Sequence, residues 1–142
     1  MAVVDRYQRG LDIIKKYSLE GNDEISSVQQ LRDAYRSLAP DLEELIVSFG
    51  FGDIYSREGL TDKERTIATL SGLTTLGAEP QLELHINNGL NIGLTPKQVV
   101  GAIVHMLPYA GFPRVLNALG VVKKVFAQRN VTINDEEKCR VK

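Results

Sequence analysis

His85 and His105 are the two histidines of the chain, and histidine is the side chain whose ordinary pKa lets it donate or accept a proton near neutrality. His85 closes the stretch Glu79-Pro-Gln-Leu-Glu-Leu-His, and at helical spacing Leu82, Ile86 and Gly89 lie on its adjoining face. The ring is therefore expected at the edge of an apolar stripe rather than in open solvent. Its competing role is that of a half-buried histidine satisfied by a backbone carbonyl. His105 lies between Val104 and Met106, just before Pro108-Tyr109, where a packed core histidine is the plainer reading. Arginine is the natural fork for a carboxylate, and Arg65 and Arg57 are candidates beside surface or ion-pair alternatives. Glu79 fits a helix N-cap or first-turn acid, favourable to the helix dipole. Glu83, two residues before His85, falls on a different helix face, so the two do not form a dyad.

The thiol count narrows the chemistry. Cys139 is the one cysteine of the 142 residues and sits in the polar tail Asn134-Asp-Glu-Glu-Lys-Cys-Arg. An intrachain disulfide, a Cys-x-x-Cys pair and a cysteine metal site are thereby excluded. The histidines, twenty residues apart, match no metal-ligand spacing. Gly50 and Gly52 precede no phosphate-binding pattern. Seventeen basic against eighteen acidic residues provide no global field for nucleic acid or anionic lipid. No apolar run reaches the roughly 20 residues of a membrane helix, and the start Met1-Ala-Val-Val-Asp-Arg-Tyr carries no signal-peptide pattern. A cytoplasmic protein with neither membrane nor nucleic-acid partner is expected.

The elements that must position these residues are read as helices. Ser26-x-x-Gln29, Thr61-x-x-Glu64 and Thr95-x-x-Gln98 match the capping box, and Pro96 follows Thr95 where its missing N–H does no harm. Leu11, Ile14 and Tyr17 mark a first helix, Val28, Leu31, Tyr35 and Leu38 a second, with a kink or short break at Ala39-Pro40. The pattern resumes from Asp41 to Phe49 with Leu42, Leu45, Ile46 and Phe49. Phe49 to Gly59 reads as a glycine-spaced connector unable to hold a long helix. Further helices are expected from Thr61 to about Leu76, closed by Gly77, from Pro80 to about Asn91, closed by Gly93, from Pro96 to about Met106, and from Phe112 or Pro113 to about Gln128. Val131-Thr-Ile133 could pair briefly as an edge strand. The fold class is all-α, with one core.

Ile54-Tyr-Ser-Arg-Glu-Gly-Leu60, Asp62-Lys-Glu-Arg65, Leu76-Gly77, Leu82-x-x-His85, Asn88-Gly89, Leu94-Thr-Pro-Lys and Tyr109-Ala-Gly-Phe-Pro113 followed by Asn117-Ala-Leu resemble, in order and spacing, the carboxymuconolactone decarboxylase family. Arg6-Tyr7-x-x-Gly10 resembles its decarboxylase subgroup. The resemblance implies an AhpD-like helical bundle of about six helices with an antiparallel helix pair, in a domain over residues 1–128, most specific over 60–126, followed by a polar tail, 129–142. The hydroperoxidase branch of that family carries two cysteines and a glutamate, and their positions fall here on Ala78, Gln81 and Thr66. Neither alanine nor glutamine can supply the attacking thiolate, so a peroxiredoxin-like activity is disfavoured. Glu64 lies two positions from the lost glutamate and is better explained by the cap with Thr61.

The cysteine-free branch implies a carboxy-lyase of aromatic-compound catabolism, acting without a cofactor on a small carboxylated lactone or related enolisable acid. On that resemblance His85 is the expected general acid/base, with Arg65, His105 and Tyr109 as further catalytic candidates and Arg57, Tyr55 and Glu79 as substrate-binding ones. It also implies a homo-oligomer, a trimer or hexamer. Tyr55 stands where a tryptophan is usual in the subgroup, and Ile86-Asn-Asn lacks the usual basic residue, which points to a less anionic substrate. A helical binding or assembly protein on the same scaffold is the alternative.

Overall fold

Every regular element among the described residues is helical, in agreement with the all-α expectation. The computed structural model describes residues 5–18 and 24–133; Cys139 and most of the polar tail lie outside them. The backbone divides into two compact units, Met1–Thr61 and Asp62–Lys142.

In the first unit, α1 (Arg6–Tyr17) starts where the Asp5 side chain accepts the Tyr7 N–H. It buries Tyr17 and half-buries Leu11 and Ile14. Helix α2 (Glu24–Tyr35) begins two residues before Ser26, so Ser26 is not its N-cap. It also stops short of Leu38, which is 81% exposed. The expected break at Ala39-Pro40 is longer than read: a turn over residues 36–41 separates α2 from α3 (Leu42–Leu45), because the Leu38 and Ala39 amides both bond back to the Tyr35 carbonyl.

Beyond α3 the chain does not become an open connector. It continues as a π-helical segment, Ile46–Ile54, and the Tyr55 amide bonds to the Gly50 carbonyl five residues back. Glycine weakens an α-helix, which explains the sequence expectation, but here the glycines permit close packing on α1. A Cβ on Gly10 would collide with the Val47 carbonyl, and one on Gly52 with the Arg6 carbonyl. The two backbones touch at both ends of the contact. Elsewhere in this unit Tyr7 donates its hydroxyl proton to the buried Glu43 carboxylate, which Arg32 also meets at 3.3 Å. Burial, then the Glu43 bond, pushes the Tyr7 phenol upward.

The second unit follows the sequence reading closely. Helix α4 (Asp62–Leu76) ends at Gly77, whose φ of +70° suits glycine. A two-residue turn, Gly77-Ala78, folds α5 (Glu79–Asn91) back along α4 as the antiparallel pair. Helix α6 (Pro96–Val104) has the full capping box: the Gln98 amide donates to Thr95 Oγ1 at 3.1 Å, and the Thr95 amide donates to Gln98 Oε1 at 3.0 Å. Pro108 opens a short α7 (Leu107–Ala110), and α8 (Phe112–Arg129) closes on Asn130 in the left-handed region. Residues Val131 to Ile133 form no strand; the Val131 amide is instead taken by the Phe126 carbonyl at the helix end.

The core of this unit joins Leu70, Leu82, Ile86, Val99, Ile103, Val115, Val122 and Val125. Each such side chain contributes about 1.5–3 kcal/mol on burial. Two hydroxyls of α4 are buried at little cost, since Thr66 and Thr74 each donate to the carbonyl four residues earlier.

Candidate active site

Helix α5 sets His85 where the sequence places it. Leu82, Ile86 and Gly89 are buried, and His85 is half-buried at the margin of that face. Burial pushes its imidazole below the ordinary value of 6.5, because a cation loses hydration there. His85 is thus neutral at neutral pH until a neighbouring negative charge favours the cation.

Gly89 brings the next element close. A Cβ at this position would lie 3.0 Å from the Thr66 methyl and 3.0 Å from a Leu94 methyl. Thr66 therefore packs against the turn of α5 that follows His85, and Arg65 belongs to the same turn of α4 as Thr66. Arg65 is half-buried, with its Nε shielded from solvent. Two helices that pack on one another thus carry the proton-transfer candidate and the carboxylate-binding candidate.

The remaining candidates are placed elsewhere. His105 is the C-cap of α6 and is exposed rather than a packed core residue; its ring lies 5.7 Å from that of Tyr109, which is 71% exposed. Glu79 is the first residue of α5, after Ala78 at the N-cap. It lines a groove of about 630 Å³ between α5 and α8, together with Glu83, Leu116, Asn117, Gly120 and Lys124. His85 is not among the groove's lining residues. Glu83 pairs there with Lys124 at 2.9 Å, so the groove wall holds two carboxylates against one ammonium, the wrong balance for a dianion. In the first unit, Tyr55 packs edge-on against Tyr17 and tilted against Phe51, and Arg57 is exposed in the turn after the π-helical segment.

A charged cluster in that unit escaped the sequence reading. Asp53 accepts from Arg6 Nε at 3.0 Å and from Arg9 Nη2 at 3.0 Å, and Arg9 Nε donates to the Gly52 carbonyl at 2.6 Å. The Arg6 hydrogen bond holds the Asp53 carboxyl below its usual range. The spacing of Arg6 and Arg9 on one helix face was the available signal; their partner, 44 residues beyond Arg9, was not.

The regular elements among the described residues are all helices, with an antiparallel α4–α5 pair and a histidine on the second of these helices. The carboxymuconolactone decarboxylase family matches residues 40–124, and the chain belongs to it. It is 30% identical over 122 residues to 4-carboxymuconolactone decarboxylase of Acinetobacter baylyi, covering 85% of this chain and 87% of that protein. It is 32% identical over 93 residues to nitrosuccinic acid decarboxylase of Metarhizium robertsii, covering 66% and 60%. An uncharacterized 15.0 kDa protein of Paracoccus denitrificans is 30% identical over 99 residues, covering 68% and 74%.

Proposed function

We propose that this protein is a decarboxylase of small dicarboxylic acids in which His85 delivers the proton that replaces the departing carbon dioxide. The observation that carries the reading is the setting of His85, half-buried and desolvated at the margin of the buried face of α5. The names of two relatives, a carboxymuconolactone decarboxylase and a nitrosuccinic acid decarboxylase, give the chemistry. Both acids carry the departing carboxylate on a carbon conjugated, once charge develops, to oxygen: the lactone carbonyl in one, the nitro group in the other. Both also carry a second carboxylate on a methylene arm.

The step balances without an external electron acceptor. The carbon–carboxylate bond breaks, carbon dioxide leaves, and the electron pair spreads onto the lactone or nitro oxygens. A carbon of that conjugated system then takes a proton from the His85 imidazolium, the carbon alpha to the lactone carbonyl in one acid and the nitro-bearing carbon in the other, and solvent restores the imidazolium. The bound carboxylate beside His85 favours its protonated form, so the proton enters with the substrate. Arg65 is assigned to a carboxylate. His105 and Tyr109, exposed together, are assigned no step in the proton transfer, and Glu79 faces a groove of unsuitable charge. We further propose a cytoplasmic homo-oligomer. Among the described residues no helix is long and apolar enough to cross a membrane.

The test is carbon dioxide release from 4-carboxymuconolactone and from nitrosuccinate by the purified protein. Turnover of either, with uptake of one proton into the product, is expected. Failure on both overturns the proposed substrate class.

A further inference from the structure

Helix α8 carries an apolar ridge that its own chain leaves uncovered. Phe112 is 68% and Leu116 62% exposed, and Tyr109 just before them is exposed as well. Together they offer on the order of 400 Å² of apolar surface, about half of what each partner contributes to a stable interface. One turn beyond Leu116 stands Gly120, itself exposed, where a Cβ would meet no atom within 4 Å. Glycine weakens a helix interior, and no contact among the described residues requires it here. Gly120 opens onto the groove of about 630 Å³ between α5 and α8, which Leu116 also lines. A bulky side chain and a hole thus lie four residues apart on one helix face.

We propose that the occupant of this groove is a second copy of the chain, packed α8 against α8 across a two-fold axis level with residue 118, with Leu116 of each copy seated over Gly120 of the other. This inference rests on the reading of the protein as a homo-oligomer and names its interface. In an antiparallel pair centred there, position 116 opposes 120 and position 112 opposes 124, and two-fold symmetry requires each pair to fit in both directions. Leucine on glycine fits by volume, since the missing side chain lets the second helix come close. Phe112 meets Lys124, whose ammonium Glu83 holds at 2.9 Å, so the ring lies along an aliphatic stem with a cation at its end. Charge agrees with this pairing. Helix α8 bears Arg114, Lys123, Lys124 and Arg129 and no acid, and it enters a groove walled by Glu79 and Glu83. The two Lys124 side chains are kept apart by the helix length from 112 to 124, about 18 Å, well beyond the screening length of about 8 Å.

Light scattering of the native protein on a sizing column, beside Gly120→Leu, reads the pairing. An even number of protomers is expected, falling to half in Gly120→Leu, with Kd raised about 100-fold because the clash occurs twice. A Cβ at this position meets no neighbour in its own chain, so circular dichroism should show the variant protomer folded. Exchanging knob and hole, Leu116→Ala together with Gly120→Leu, is expected to restore the native mass, which a merely disruptive surface change would not allow. A native monomer overturns both this pairing and the homo-oligomer reading. A native trimer, or an oligomer whose mass Gly120→Leu leaves unchanged, overturns the pairing alone. Loss of mass that the exchange does not rescue overturns the seating of Leu116 on Gly120.

Discussion

The two units of this chain hold themselves together by different means. In Asp62–Lys142 the interior is aliphatic and a desolvated ionisable group, His85, is kept at its margin. In Met1–Thr61 charged and polar contacts tie distant segments, Arg6 and Arg9 to Asp53 and Tyr7 to Glu43, beside the ring contact of Tyr17 with Tyr55. The difference teaches where chemistry and where rigidity reside. Dispersion and burial provide a site in which a histidine's proton affinity can be shifted, whereas charged forks fix a backbone shape that its own sequence does not favour.

The contrast yields a ladder of tests. The largest stability effect should come from the first unit, because its α1 contact leaves no room: Gly10→Ala forces a methyl against the Val47 carbonyl and should cost about 3 kcal/mol in urea unfolding. A cost near zero would mean that the close approach is not what holds the π-helical segment. In the second unit, Thr95→Ala removes one half of the α6 capping box and should cost about 1 kcal/mol. A loss much greater than that would show that the second unit, too, depends on single polar contacts.

The smallest effect is the pH dependence of stability. The folded His85 binds its proton less tightly than the unfolded one, whose ordinary value is 6.5. Above that value both states are neutral and nothing is lost; as pH falls below it the unfolded chain gains a proton first, and stability declines until the folded pKa is passed. Urea midpoints measured at neutral and mildly acidic pH should therefore fall less on acidification in His85→Gln than in the native protein. An equal fall in both would remove desolvation of His85 from the account.

How much was legible follows the same division. The starts of α4 and α6 at Thr61 and Thr95, the stops at Gly77 and Gly93, and the half-buried setting of His85 were readable because each depends on residues within a turn or two. The π-helical segment was not, because Gly50 and Gly52 weaken it locally and its support comes from Arg6 and Arg9, more than forty residues earlier. Ser26 misled for the opposite reason, a local match to a cap inside a helix already begun at Glu24. His105 was read among apolar neighbours, but α6 ends at Val104 and turns its C-cap outward.

The central claim, that His85 supplies the proton in decarboxylation, is tested most directly by His85→Gln. Carbon dioxide release from 4-carboxymuconolactone and nitrosuccinate is to be followed beside the native protein, with helicity checked by circular dichroism. The account predicts a loss of about 100-fold or more in kcat with the helical fold intact. A fully active, folded His85→Gln protein would contradict it.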